Sequence, residues 1–130
     1  PIEFRPVEFL NPFAAEVYEP VRNVWLKTKG EMPADRRQNN LVLAYASDYN
    51  LLTTALFPHG KAIDHRNLQI ASLDHAIWFH RPFRADELLL YSIDSPSASG
   101  ARGFTRGNIF DSEGKLVASV VQEGLMRKAR

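Results

Sequence analysis

Asp35-Arg36-Arg37-Gln38-Asn39-Asn40-Leu41-Val42-Leu43-Ala44-Tyr45-Ala46-Ser47-Asp48-Tyr49-Asn50-Leu51-Leu52-Thr53-Thr54-Ala55-Leu56 reads as the one long helix of this chain. Asp35 is a good N-cap, and Gln38 three residues later makes a capping-box-like pair with it. Phe57-Pro58-His59-Gly60 is expected to break the helix, with a loop to about Asn67. The segments on either side read as strands. Ile2–Phe9 alternates, and Pro6 confines it to a sheet edge. Asn11–Pro20 reads as a loop, and Val21–Lys29 as a second strand that carries Trp25 and ends at Gly30–Pro33. Beyond the helix come Leu68–His80, Glu87–Asp94, Ala101–Phe110 and Lys115–Arg127, the last two joined by a hairpin turn at Asp111–Gly114. Strands, one long helix and consecutive antiparallel strands predict an α+β domain with the helix on one face of the sheet.

The 130 residues suit one domain and are too few for two ordinary ones. The chain is 45% hydrophobic and 24% charged, a globular mixture, and a net charge of +1 gives no basic field for nucleic acid or a membrane surface. No apolar run reaches the roughly 20 residues of a membrane-spanning helix, and no signal-peptide pattern opens the chain. A start at Pro1 suggests a processed protein or a piece of a longer one. The absence of cysteine removes disulfides, thiolate nucleophiles and Cys-type metal sites, and leans toward a cytoplasmic location.

Two polar residues interrupt apolar patterns. At 100° per residue, Leu41, Tyr45, Asp48, Leu52 and Ala55 fall within an arc of roughly 80°, with Asn40, Ser47, Asn50 and Thr54 opposite. Asp48 thus sits in an apolar stripe, as a general base aimed into a crevice or as a carboxylate that merely accepts hydrogen bonds. Gln122 shares strand parity with Leu116, Ala118 and Val120, so its amide needs buried partners. Ser72 shares parity with Ile70 and carries a weaker signal.

The stretches Arg5-Pro6-Val7-Glu8-Phe9, Tyr45-Ala46-Ser47-Asp48, Leu73-Asp74-His75-Ala76-Ile77-Trp78-Phe79-His80-Arg81-Pro82-Phe83 and Val121-Gln122-Glu123-Gly124-Leu125-Met126-Arg127 resemble signature motifs of the acyl-CoA thioesterase II family. Leu89-Leu90-Tyr91-Ser92 and Ser97-Ala98-Ser99-Gly100-Ala101-Arg102-Gly103-Phe104 match as well. The resemblance implies a hotdog fold, a long helix wrapped by a curved antiparallel sheet, and a chain equivalent to the C-terminal half of a double hotdog. It implies acyl-CoA as substrate, no cofactor, and catalytic roles for Asp48, Ser72 and Gln122. By residue type, Asp48 would take a proton from a water that Ser72 and Gln122 hold in line with the thioester carbonyl. A lone hotdog leaves a sheet edge and a helix flank bare, so a homo-oligomer, or pairing with a missing N-terminal hotdog, is expected.

His59, His65, His75 and His80, at spacings of 6, 10 and 5, match no standard ligand pattern, so no metal site is expected. Asp74 and His75, adjacent on a strand, point to opposite faces and suit a structural role at the helix–sheet or domain interface. Arg102 and Arg106 share parity and are candidates for the phosphates of coenzyme A, with a solvated strand face as the preferred alternative. Trp25, Trp78, Phe79 and Phe104 read as core or interface aromatics rather than an acyl tunnel. Two alternative functions stay open: a non-catalytic hotdog that binds acyl groups or completes another domain's pair, and a hotdog dehydratase. The dehydratase wants a histidine near the helix start, and the helix contains none.

Overall fold

Alternating apolar and polar residues at both ends of the chain pair into one antiparallel sheet in the computed structural model, which describes residues 1–62, 64 and 66–129. The strands are β1 (Ile2–Pro6), β2 (Val21–Thr28), β3 (Leu68–Ser72), β4 (Ala76–Phe79), β5 (Leu89–Ser99), β6 (Arg102–Phe110) and β7 (Leu116–Lys128). Their order is β1-β2-β5-β6-β7-β3, with β4 also pairing β7. Pro6 closes β1 at a sheet edge, where a residue without an N–H interrupts no inner ladder. The hairpin turn forms as expected. Asp111 Oδ1 accepts from the N–H groups of Glu113 and Lys115, and Gly114 takes the left-handed φ of 82° that the turn requires. The polar Ser95–Ser99 stretch, outside the expected strand, extends β5 past a bulge between Asp94 and Ser97.

The helix starts where expected and stops early. Asp35 Oδ1 accepts from Arg37 N at 3.0 Å, and its other oxygen accepts from the Gln38 amide. Helix α1 then runs only over Arg36–Ala46, and a 3₁₀ segment covers Leu52–Ala62. The unwinding follows from side chains that compete for the backbone. Ser47 Oγ donates to Ala44 O at 2.7 Å, Thr54 Oγ1 donates to Asn50 O at 2.7 Å, and Asn50 adopts a left-handed φ of 67°. Arg22 of β2 locks this turn from outside. Its Nη1 donates to Asn50 O, Asn50 Oδ1 and Thr53 Oγ1 at 3.1–3.3 Å, and its guanidinium lies 4.6 Å from the centre of the Phe57 ring.

The expected apolar stripe is therefore not the buried face. Leu41 and Tyr45 are 61% and 64% exposed, whereas Asn39, Leu43, Ala46 and Ser47 face the sheet. Asn39 tolerates burial because its amide is fully engaged, donating to Pro33 O and Asp35 O and accepting from Ala85 N. Leu43 and Ala46 join Leu26, Tyr91, Ile109 and Val120 in a core on the inner face of the sheet. The 3₁₀ segment lies close on the sheet because Gly103 and Gly124 present no Cβ. One at Gly103 would stand 2.8 Å from Ala55 Cβ, and one at Gly124 would run into Leu52. Trp25, Phe79 and Phe104 are half-buried, and Trp78 is exposed.

Candidate active site

The strand expected over Leu68–His80 is interrupted, and the interruption builds the site. Ser72 of β3 lies opposite Gly124, and Ala76 of β4 lies opposite Val121. Three residues, Leu73 to His75, thus face two, Gln122 and Glu123. This bulge adds one residue, and one extra residue exchanges the faces of the sheet. Glu123 O accepts from Leu73 N at 3.0 Å, and Asp74 Oδ1 accepts from Glu123 N at 2.7 Å, so Asp74 closes the gap in the ladder. Asp74 has a structural role within the sheet, rather than the one at the helix–sheet or domain interface expected of it, and makes no pair with His75. His75 is turned to the same side as Ser72, which simple alternation over this stretch forbids.

Four side chains then form a hydrogen-bonded run from α1 to the sheet edge. Ser47 Oγ lies 2.8 Å from His75 Nε2, and His75 Nδ1 lies 2.8 Å from Gln122 Oε1. Gln122 Nε2 donates to Ser72 Oγ at 2.5 Å. Gln122 is fully buried, as its parity requires, and its amide has the partners that burial demands. Thr105 on β6 lies beside it and donates to Gln122 O.

Asp48 stands beside this run, next to His75. Its Oδ1 is 4.0 Å from His75 Nδ1, and its side chain is 61% exposed, so the burial implied by the apolar stripe does not occur. The helix ends at Ala46 and Asp48 lies on the following turn, beside the core rather than in it. The turn is held from three sides. Tyr91 of β5, fully buried, donates its hydroxyl to Ser47 O at 2.7 Å, while Arg22 and Thr54 hold Asn50. Burial, and secondarily the charge on Asp48, push the Tyr91 phenol well above its usual range, which keeps it a hydrogen-bond donor. Burial also lowers the Arg22 guanidinium to about 10, opposed by the charge on Glu8.

Sequence reasoning brought Asp48, Ser72 and Gln122 forward, and the structure collects all three around His75. It missed Ser47 and His75. Ser47 lay on what pattern made the polar face, and only the bulge, a product of pairing with β7, turns His75 inward. A weak signal existed in Asp74, a residue disfavoured in strand interiors. Arg102 and Arg106 are not brought to this cluster. They lie on the opposite face of β6 from Thr105, where Arg102 pairs with Glu123 and Arg106 pairs in bidentate fashion with Asp94. His80 also lies apart, bonded to Ser119, and His65 is outside the described residues. Among the described residues no three acidic or histidine side chains converge as a metal site. A groove of about 720 Å³ opens along the exposed flank of α1, lined by Ile2, Phe4, Met32, Leu41, Tyr45 and Tyr49.

The acyl-CoA thioesterase family model matches residues 1–125. The chain is 41% identical over 127 residues to acyl-CoA thioesterase 2 of Haemophilus influenzae, covering 98% of this chain and 44% of that protein. It is 39% identical over 128 residues to human acyl-coenzyme A thioesterase 8, covering 98% of this chain and 40% of the relative. The chain thus spans less than half the length of these curated relatives. Among solved structures, an acyl-CoA thioesterase II from Mycobacterium marinum superposes with a TM-score of 0.83 at 43% identity, over 98% of this chain and 49% of that one. A hot dog fold protein of Alicyclobacillus acidocaldarius, 17% identical, superposes with a TM-score of 0.74 over 99% of this chain and 46% of that one, a likeness of fold alone.

Proposed function

The chain belongs to the acyl-CoA thioesterase family and folds as a hotdog, and from that premise we propose that it is the catalytic hotdog of an acyl-CoA thioesterase. The observation that carries this reading is the gathering of Asp48, Ser72 and Gln122 around His75, from positions 24 to 74 residues apart in the chain. In the reaction, Asp48 takes a proton from a water while the water oxygen bonds to the thioester carbonyl carbon. The tetrahedral intermediate expels the sulfur of coenzyme A, which receives that proton, and a free fatty acid leaves. Ser72 and the Gln122 amide orient the water, and backbone N–H groups at the strand edge suit the developing oxyanion. The chain contains no cysteine, so any acyl-enzyme would need an oxygen nucleophile with a base against it. Ser72 is instead bound to an amide. The acyl chain suits the apolar groove beside Tyr49, the residue after Asp48, where it would lie between this flank and the second hotdog that packs on it. Release of free thiol from acyl-CoAs of increasing chain length tests the reading directly. Binding without turnover, in the chain and in its paired form, would leave an acyl-binding module in its place.

A paired assembly belongs to the same proposal. The outer flank of α1 (Leu41, Tyr45 and Tyr49) and the β3–β4 edge with Leu73 and Trp78 are all exposed, though large and apolar. A second hotdog covers them, either another copy or a preceding half of a double-hotdog chain. A cytoplasmic location fits a cysteine-free chain acting on acyl-CoA, and no described helix is long and apolar enough to cross a membrane. The 130-residue chain is expected to sediment as a dimer or larger, and Leu41→Glu with Tyr45→Glu to shift it toward monomer. A clean monomer for the unaltered chain would remove the self-pairing form.

A further inference from the structure

We propose that His75 is a positioning residue for hydrolysis: it fixes which end of the buried Gln122 amide faces Ser72, and it ties that amide to the turn that carries Asp48. The inference rests on the thioesterase reading. Three observations carry it. The β3–β4 bulge turns the His75 ring to the face of Ser72. Its two nitrogens are both used, one by Gln122 Oε1 and the other by Ser47 Oγ, each at 2.8 Å. Ser47 is the residue before Asp48, so one ring joins the turn that carries Asp48 to Gln122 of β7, across 28 and 47 residues of chain.

The chemistry of the amide gives this contact a consequence. An amide oxygen only accepts, so His75 Nδ1 carries the proton between them, and Nε2 accepts from the Ser47 hydroxyl, whose one hydrogen is then shared between Ala44 O and that ring nitrogen. The Nδ1 proton holds Oε1 toward the ring and sends the amide nitrogen toward Ser72. One amide hydrogen goes to Ser72 Oγ, and the other is the donor that the thioesterase reading gives to the attacking water when substrate is bound. Turned by 180°, the amide would present its oxygen to Ser72 and lose the donor on that side. Without His75 both orientations become accessible, and the water-holding donor is present only part of the time.

The test is turnover of an acyl-CoA by the protein assembled with its second hotdog. His75→Leu should lower kcat by about 10- to 100-fold with KM nearly unchanged. His75→Asn, whose side-chain N–H can take the place of Nδ1–H, should recover most of that loss. In a Gln122→Ala background, His75→Leu should cost little more, because the residue it acts through is gone. Losses that simply multiply, or a loss carried by KM, would overturn the proposal. Asp48→Asn in the same assay separates the two levels: if it turns over like the parent, the thioesterase reading itself fails. If only the Asp48 variant behaves as expected, His75 is structural alone. A second readout needs no turnover. In the 15N-labelled chain the Gln122 side-chain amide signals should shift and exchange faster in His75→Leu, and revert in His75→Asn. Unchanged signals would refute the contact's role even where the variant is active.

Discussion

Asp48→Asn is expected to lower kcat for acyl-CoA hydrolysis by about 10²- to 10⁴-fold, the usual contribution of a positioned general base. The variant keeps the shape of the side chain and one of its acceptor oxygens, and removes the basic group. Because Asp48 is 61% exposed and lies on a turn held by other residues, its loss should leave folding stability within about 0.5 kcal/mol of the parent. The Arg22–Asn50 and Tyr91–Ser47 contacts that shape the turn do not involve its carboxylate. The measurement is free-thiol release under saturating acyl-CoA, with thermal unfolding alongside. Loss of turnover at unchanged melting temperature identifies the base. Full turnover in the variant would move the base elsewhere in the cleft, and a matching fall in melting temperature would make Asp48 a structural residue.

Gly107→Ala should be the most damaging small substitution in the fold. Gly107 lies on the inner side of β6, and a Cβ there would overlap the Tyr91 ring, approaching Cδ1 to 3.1 Å and Ser92 O to 3.3 Å. Tyr91 has no surface to retreat to, being fully buried with its hydroxyl on Ser47 O. Overpacking a rigid ring of this kind costs about 1–3 kcal/mol. At this chain length each kcal/mol lowers the melting temperature by roughly 4 °C. Any displacement of the ring is passed to Ser47 O through the Tyr91 hydroxyl, so kcat should fall as well, through the turn that carries Asp48. Tyr91→Phe keeps the ring and leaves Ser47 O without its donor, a cost of about 1–3 kcal/mol without the clash. If Gly107→Ala melts with the parent, the packing between β5 and β6 has slack, and Tyr91 is not what holds the turn.

Gln122 and Asp48 differ in how far the pattern of the chain accounts for where they lie. Gln122 is buried and bonded as its place in an alternating strand demands, and Asp48 stands at the cleft, though not for the reason pattern offered. The stripe that singled it out assumes a helix to Leu56, and the helix stops at Ala46. A helical wheel describes no face beyond the last helical residue, so Asp48 was found by a geometry that does not exist there. The family resemblance, which rests on the residues around it, named the same position independently.

The sequence alone determined what depends on neighbours a few residues apart. It set the order of strands and helix, the edge position of the proline-bearing first strand, the cap at Asp35, the turn at Asp111–Gly114 and the inward parity of Gln122. Each follows from a period of 2 or 3.6, or from one residue's backbone preference. Only the tertiary structure decided where the helix ends, which of its faces is buried, and which residues meet at the cleft. Arg22 reaches Asn50 across 28 residues, Tyr91 reaches Ser47 across 44, and Gln122 reaches Ser72 across 50. The bulge that turns His75 inward is a mismatch of register between β3–β4 and β7, and no local period encodes it. A side chain's face is a local property while its strand is regular. Where the strand is interrupted, the strand it pairs with decides it.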